Sequence, residues 1–260
     1  MDCPYIILAP SWNEKSAGVK ALYQLCHDLR SYGQDAYMAR TYSSQNNPKL
    51  DNPFTDKYTP DAIVISPELF AGNVLNARKM VRYALNTVGF MGGPDDFPNT
   101  DMMYYFSKTF LHNNRNPENL LTPPLVDLDL FQDLNLPRFG ACYVARKYKA
   151  HGGIVGNEAR EWLELKDHDN TLKDIAKIFQ TKNYFICYEN TYMMFEAVMA
   201  GCHVAPILNE HFKEVCKFEY VDFEHETAAE ASVKYAKQTE HYYKNQLPEF
   251  IYRTQRMVPQ

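Results

Sequence analysis

The stretch Tyr184–Asn209, YFICYENTYMMFEAVMAGCHVAPILN, decides the fold class of this 260-residue chain. Tyr184–Tyr188 is a short apolar, β-prone run, and Glu189-Asn190-Thr191 supplies residues that turn and cap a chain. Met193, Met194, Ala197, Val198 and Ala200 follow at helical spacing, and Gly201 stands where a helix ends in a left-handed residue. Val204–Leu208 then resumes an extended apolar run. Strand, polar turn, helix and second strand make a βαβ unit. Its turn offers free backbone N–H groups and the positive helix end to a phosphate. Glu196, one to two turns into the helix, would reach a sugar hydroxyl beside that phosphate, which makes the segment a candidate nucleotide-sugar site.

Outward from this unit the chain continues to alternate. Tyr5–Pro10, Ala36–Ala39 and Asp61–Ser66 read as strands; Ser16–Tyr32 reads as a helix with Val19, Leu22, Leu25, Cys26 and Leu29 on one face and Gly33 as its stop. Asn73–Asn86 is expected as a basic helix, and Met102–Phe110 as an aromatic strand after the Gly89–Pro94 turn. A proline-rich connector at 122–137 precedes a second alternation. That half opens with the strand GACYVARK and continues with a helix over Leu172–Phe179 and a polar helix over Thr227–Asn245. Such alternation predicts an α/β protein with parallel sheets. The expected division is 1–135 and 136–260, with the last helix returning to the first domain.

Composition narrows the function classes. Hydrophobic residues make up 45%, enough for a sizeable core, and the net charge of −5 argues against nucleic acid as a partner. The 19 tyrosines and 15 phenylalanines suit stacking on bases and sugars as well as core packing. No run reaches the ~18 apolar residues of a transmembrane segment, although peripheral membrane contact stays open. The apolar start MDCPYIILAP carries no basic leader, and a cytoplasmic location is expected. The six scattered cysteines include no CxxC pair and read as reduced thiols. Neither a G-x-G-x-x-G after the first strand nor a P-loop lysine motif is present.

The pattern Y-x-x-T-x-x-x-x-E-A-x-x-x-G-x-x-V, formed by Tyr188, Thr191, Glu196, Ala197, Gly201 and Val204, resembles the donor-binding segment of GT-B glycosyltransferases, in particular rhamnosyltransferase-type enzymes of polysaccharide assembly. The opening APSWNEKSAGVKALYQLCHDLRSYGQDAYM is similar to their first βα unit, and LTPPLVDLDLF with GACYVARKYK to their connector and first donor-domain strand. The resemblance implies two Rossmann-like domains facing a cleft and transfer of a hexosyl or pentosyl group from a nucleotide-sugar. The acceptor would be a glycan or glycolipid hydroxyl, and no metal or further cofactor would take part. It implies donor contacts from Tyr188, Glu189, Asn190, Thr191 and Glu196. Many retaining members carry two glutamates with seven residues between them, whereas Glu189 and Glu196 have six.

Other side chains suit the same chemistry. Arg146 and Lys147, at the end of the strand CYVARK, would neutralise a leaving diphosphate. Ser16 and Gly18 at the first helix, and Gly92 and Gly93 in a later turn, would let an acceptor approach backbone donors. Glu68 is the candidate base, with Asp95, Asp96 and Glu14 as competitors, while His203 and His211 read as structural. Two alternatives remain: a metal-dependent GT-A transferase holding its cation on Asp127 and Asp129, and a non-catalytic Rossmann-like binding subunit.

Overall fold

The computed structural model describes residues 3–166, 169–216, 218, 220 and 227–259. The chain forms two compact units: 1–125 together with 239–260, and 126–238. Each is built on one parallel sheet.

The first sheet contains β1 (Tyr5–Ile7), β2 (Ala36–Ala39), β3 (Phe54–Thr55), β4 (Ile63–Pro67), β5 (Lys79–Ala84) and β6 (Met102–Tyr105), in the order β3-β2-β1-β4-β5-β6. All pairs are parallel, with Ile6 opposite Tyr37 on one side and Val64 on the other. The order reverses between β1 and β4, which is the switch point where ligands of open α/β sheets bind. Helix α1 (Ala17–Ser31) is started by the Ser16 hydroxyl, which accepts from Val19 N–H, and stopped before Gly33 at φ +76°.

The expected helix over 73–86 is instead β5, preceded by a turn. Asn73 Oδ1 accepts from Ala77 N–H at 2.9 Å, and Asn76 takes a left-handed φ of 51°, so a helix cannot propagate. KMVRYA then pairs with β4 and is buried at every position. The aromatic strand at 102–110 likewise stops at Tyr105, and Ser107 caps a 3-10 turn over Lys108–Phe110.

Without a helix between β4 and β5, one sheet face is covered by non-helical chain. Ile6, Leu8, Val64 and Met80 meet Tyr42, Tyr58 and Leu75 there. Arg82, only 1% exposed, anchors the loops. Its guanidinium donates to Asp101 Oδ2 (2.7 Å), Ser66 Oγ (3.3 Å), Phe70 O (3.0 Å) and Gly72 O (2.7 Å), and lies over the Phe97 ring. Arg115 fastens the neighbouring loop through Phe97 O, Pro98 O and Asp101 O.

The second sheet contains β7 (Ala141–Val144), β8 (Leu163–Glu164), β9 (Tyr184–Cys187) and β10 (His203–Pro206), in the order β10-β9-β7-β8, all parallel. Its switch point lies between β7 and β9. Helices α2 (Arg146–Ala150), α3 (Leu172–Thr181) and α4 (Met193–Met199) connect the strands, α3 opening on a Thr171–Asp174 capping box. Arg138 donates to Phe179 O and Ala200 O, gathering the ends of α3 and α4, and also binds Asp133. Gly201 ends α4 at φ +80°, a conformation that favours glycine, and a Cβ there would also displace the Arg138 guanidinium and the Asp133 carboxylate.

Helix α5 (Ala228–His241) runs through a π-helical turn at Tyr242–Gln246 into α6 (Leu247–Gln255), which the sequence reading missed. Phe250 of α6 meets the rings of Tyr5 and Tyr104, and Thr254 Oγ1 lies 2.7 Å from the Tyr5 hydroxyl. The final segment thus completes the first unit's core.

Candidate functional site

In the second unit the quoted stretch reaches the carboxyl edge of the sheet at its switch point. β7 ends at Val144, so Arg146 and Lys147 begin a short helix rather than end a strand. That helix has no side-chain cap from Ala145. Its cap comes from Glu189, 3% exposed, whose Oε2 accepts from Lys147 N–H in a short bond and from Tyr148 N–H at 3.4 Å. Lys147 returns the link, its ammonium donating to Asn190 O at 2.6 Å. The loops after β7 and β9 are therefore clasped in both directions.

Asn190 extends the clasp. Its Oδ1 accepts from Cys216 N–H at 2.9 Å and its Nδ2 donates to Glu214 O at 3.2 Å. Thr191 Oγ1 accepts from Met193 N–H at the start of α4. Glu196 sits on α4 and is 4% exposed. Tyr188 stacks on Tyr148 with ring centroids 5.5 Å apart and planes 16° apart, and its hydroxyl lies 3.5 Å from Glu158 Oε1. Burial, and then the Glu158 charge, push the Tyr188 phenol up. Arg146 is exposed beside this cluster. The structure thus brings Arg146, Lys147, Tyr188, Glu189, Asn190 and Thr191 to one edge, with the Glu189 carboxylate committed to backbone N–H groups.

The first unit gathers the other expected residues at its own carboxyl edge. Glu68, 3% exposed, follows β4 and accepts from Leu85 N–H at 2.9 Å. A Cβ on Gly18 would touch Leu85 Cδ1 at 3.5 Å, so the start of α1 and the end of β5 are neighbours. Gly93 lies against Glu68, where a Cβ would collide with Glu68 O and stand 2.9 Å from Leu69 Cα. Gly92 holds φ +83° with open space around it. Ser16, Gly18, Glu68 and Gly93 therefore belong to one neighbourhood, joined through Leu85.

The remaining candidates lie elsewhere or are otherwise engaged. Asp96 is held below its usual range by Phe97 N–H first and then by His112, while Asp95 and Glu14 are exposed. His203 faces Tyr184, and His211 rests on His151 with ring centroids 5.0 Å apart. Asp127 Oδ1 accepts from the N–H groups of Asp129 and Leu130, each at 3.2 Å, in a turn. Among the described residues no group of three His, Cys, Asp or Glu side chains is arranged to hold a metal ion, and no helix is long and apolar enough to cross a membrane.

Sequence reasoning missed Tyr148, Glu158 and Asn209. Asn209 Nδ2 donates to Tyr188 O at 2.8 Å, and its position closing the apolar run 204–208 was the available signal. Tyr148 is pressed by Gly153, where a Cβ would run into its ring, so the Gly152-Gly153 pair marked it. Nothing in the sequence around Glu158 pointed to Tyr188.

No protein-family model matches the chain, and no curated protein matches it. Among solved structures, it is similar to that of T4 phage BGT in complex with its UDP-glucose substrate, at a TM-score of 0.41 and 10% identity, over 96% of this chain and 94% of that one. A likeness that weak fixes neither activity nor ligand.

Proposed function

We propose that the chain is a glycosyltransferase of GT-B type that moves a sugar from a nucleotide-sugar to a hydroxyl of a glycan or glycolipid without a metal ion. The observation that carries the reading is the gathering of Tyr188–Thr191 with Arg146 and Lys147 at the switch point of the second sheet, where α/β sheets bind ligands. Donor contacts are assigned to that unit and acceptor contacts to the first, around Ser16, Gly18, Glu68, Gly92 and Gly93. The acceptor oxygen attacks the anomeric carbon as the bond to the diphosphate breaks. Glu68 takes the hydroxyl proton, and Arg146 and Lys147 offset the charge left on the leaving group. Lys147 donates to Asn190 O, which fixes its ammonium at this edge. Glu196 holds the ribose. Donors and acceptors of the rhamnosyltransferase type are the first to test.

The test is thermal stabilisation by UDP, GDP, CMP, dTDP and their sugars, with EDTA and with Mn²⁺. A ligand at 100 times its Kd adds about 2.7 kcal/mol to the folded state. Stabilisation by one nucleotide family in EDTA supports the reading, and Glu196→Ala should then weaken that ligand more than tenfold. Stabilisation only with Mn²⁺ transfers the case to Asp127 and Asp129. No stabilisation by any of them leaves a non-catalytic binding subunit as the better description.

A further inference from the structure

The loop after β1 carries an aromatic side chain that the donor chemistry does not use. Trp12 is half-buried, its ring edge-on to Tyr23 with centroids 5.3 Å apart and planes at 67°. Its backbone N–H donates to Gln45 O at 3.0 Å, tying this loop to the one after β2. Tyr23, fully buried, reinforces the tie: its hydroxyl reaches Gln45 O at 2.7 Å, Pro10 O at 3.2 Å and Ser43 Oγ. The indole is therefore held in place while part of it faces solvent. Among the described residues none accepts from its Nε1–H.

The residue before it, Ser11, belongs to a pair of hydroxyls with spare capacity. Ser11 Oγ accepts from Ser44 N–H at 3.1 Å and lies 3.0 Å from Ser44 Oγ. Only one of the two hydroxyl protons can lie between those oxygens. Whichever way it points, one O–H and at least one oxygen lone pair are left for a ligand. The flanking Glu14 and Lys15 carry opposite charges.

A rigid aromatic surface next to groups that both donate and accept matches one ligand chemistry. A pyranose ring has a C–H face for the indole and a rim of hydroxyls that donate and accept in turn. An acyl chain would use the indole alone, and a free phosphate the hydroxyls alone. We infer that Trp12, Ser11 and Ser44 form a saccharide-binding ledge, and that the acceptor hydroxyl therefore belongs to a sugar. The acceptor role rests on the glycosyltransferase reading; the binding itself does not.

The chain has two tryptophans, so Trp162→Phe leaves Trp12 as the sole indole emitter. That protein is titrated with maltohexaose, cellohexaose, laminarihexaose and xylohexaose, with sorbitol and dodecylphosphocholine micelles as ring-free and sugar-free controls. The expected result is a saturable change in Trp12 emission with at least one oligosaccharide and none with the controls. Ser11→Ala/Ser44→Ala should weaken that binding at least fivefold. Trp12→Ala should raise the acceptor KM at least tenfold while kcat and nucleotide affinity move less than twofold, and Trp12→Phe should keep most of the affinity. A response to micelles alone, or to nothing, overturns the ledge. Calorimetry with nucleotide-sugars on the same protein separates the two ideas. Nucleotide binding with a silent Trp12 refutes the ledge and spares the donor site. Saccharide binding with no nucleotide binding refutes the acceptor role by removing the donor.

Discussion

Replacing the buried Arg82 of β5 by methionine should strongly destabilise the first unit. Methionine keeps the aliphatic volume but removes the guanidinium, so Asp101, 4% exposed, becomes a buried carboxylate without its cation. Breaking a buried pair from one side costs about 3–5 kcal/mol. Phe70 O and Gly72 O also lose their donors, but their loops can turn these carbonyls toward water, which keeps the total near that range. Asp101→Asn should cost less, about 1.5–3 kcal/mol, because the guanidinium retains three acceptors and only a charge-assisted bond weakens. The double variant Arg82→Met/Asp101→Leu should recover most of the loss, since no charge is then stranded. Urea unfolding followed by Trp12 emission in the Trp162→Phe protein reports the first unit alone. With a urea slope of about 2 kcal/mol/M, Arg82→Met should lower the midpoint by roughly 2 M. A loss below about 1 kcal/mol, or a double variant no better than the single one, would show that the loops hold themselves and that this pair is not their anchor.

Further expectations concern other parts of the chain. Burial holds the Asp28 carboxyl above its usual range, against hydrogen bonds from Gln24, Tyr242 and Tyr243 that lower it. The folded protein therefore binds that proton more tightly than the unfolded chain. Ionised Asp28 is a net destabilisation above its folded pKa, and it fades as pH falls to the unfolded value near ~3.9. The stability of Asp28→Asn relative to the parent should be greatest near neutral pH and decline toward pH 4; a flat difference in denaturant melts would sink this. Gly93→Ala should destabilise more than Gly92→Ala in calorimetric melts. The first meets the Glu68 and Leu69 backbone, whereas the second bears only the left-handed penalty of roughly 1–2 kcal/mol. Glu189→Ala strips the cap from two backbone N–H groups and should lose about 1–3 kcal/mol, with Glu189→Gln recovering part of it; equal melting of the two variants would contradict the capping role. Only Cys3 is partly exposed, so a folded-state thiol titration should show one fast group, abolished by Cys3→Ser, and five slow ones; two fast groups would be incompatible with this core. Burial pushes Cys26 up to about 12, which adds to its inertness.

The parts of the fold that could be read from sequence are those whose local signals agree with the packing. Ser16 and Gly33 bracket α1, and Gly201 ends α4, because capping and left-handed turns are specified by the residues that make them. The strand at 79–84 escaped because the arginine and lysine in it suggested a solvated helix face. Arg82 has its partner Asp101 nineteen positions later in sequence, and only tertiary structure reveals that pairing. Helix α6 was missed for a related reason: Phe250 and Thr254 make a narrow apolar stripe whose partners, Tyr5 and Tyr104, lie far away in the chain. At the candidate site, the sequence located the β9–α4 turn but not the direction of its side chains. Glu189 stood in the turn as a ligand contact, yet α2 lacks a cap of its own and takes that carboxylate.

The first unit is discontinuous in sequence, and this sets an order for events on the ribosome. Its strands precede the second unit in the chain, but the segment 239–260 that seats Phe250 and Thr254 against Tyr5 and Tyr104 follows it. The second unit is a single uninterrupted run, 126–238, and has all its residues while the first still lacks the helix that packs on Tyr5 and Tyr104. The usual amino-terminal-first sequence of folding during synthesis is thereby inverted. A nascent chain that has not yet made α6 would leave Tyr5 and Tyr104 without the ring of Phe250, and synthesis of that helix would be the step that covers them.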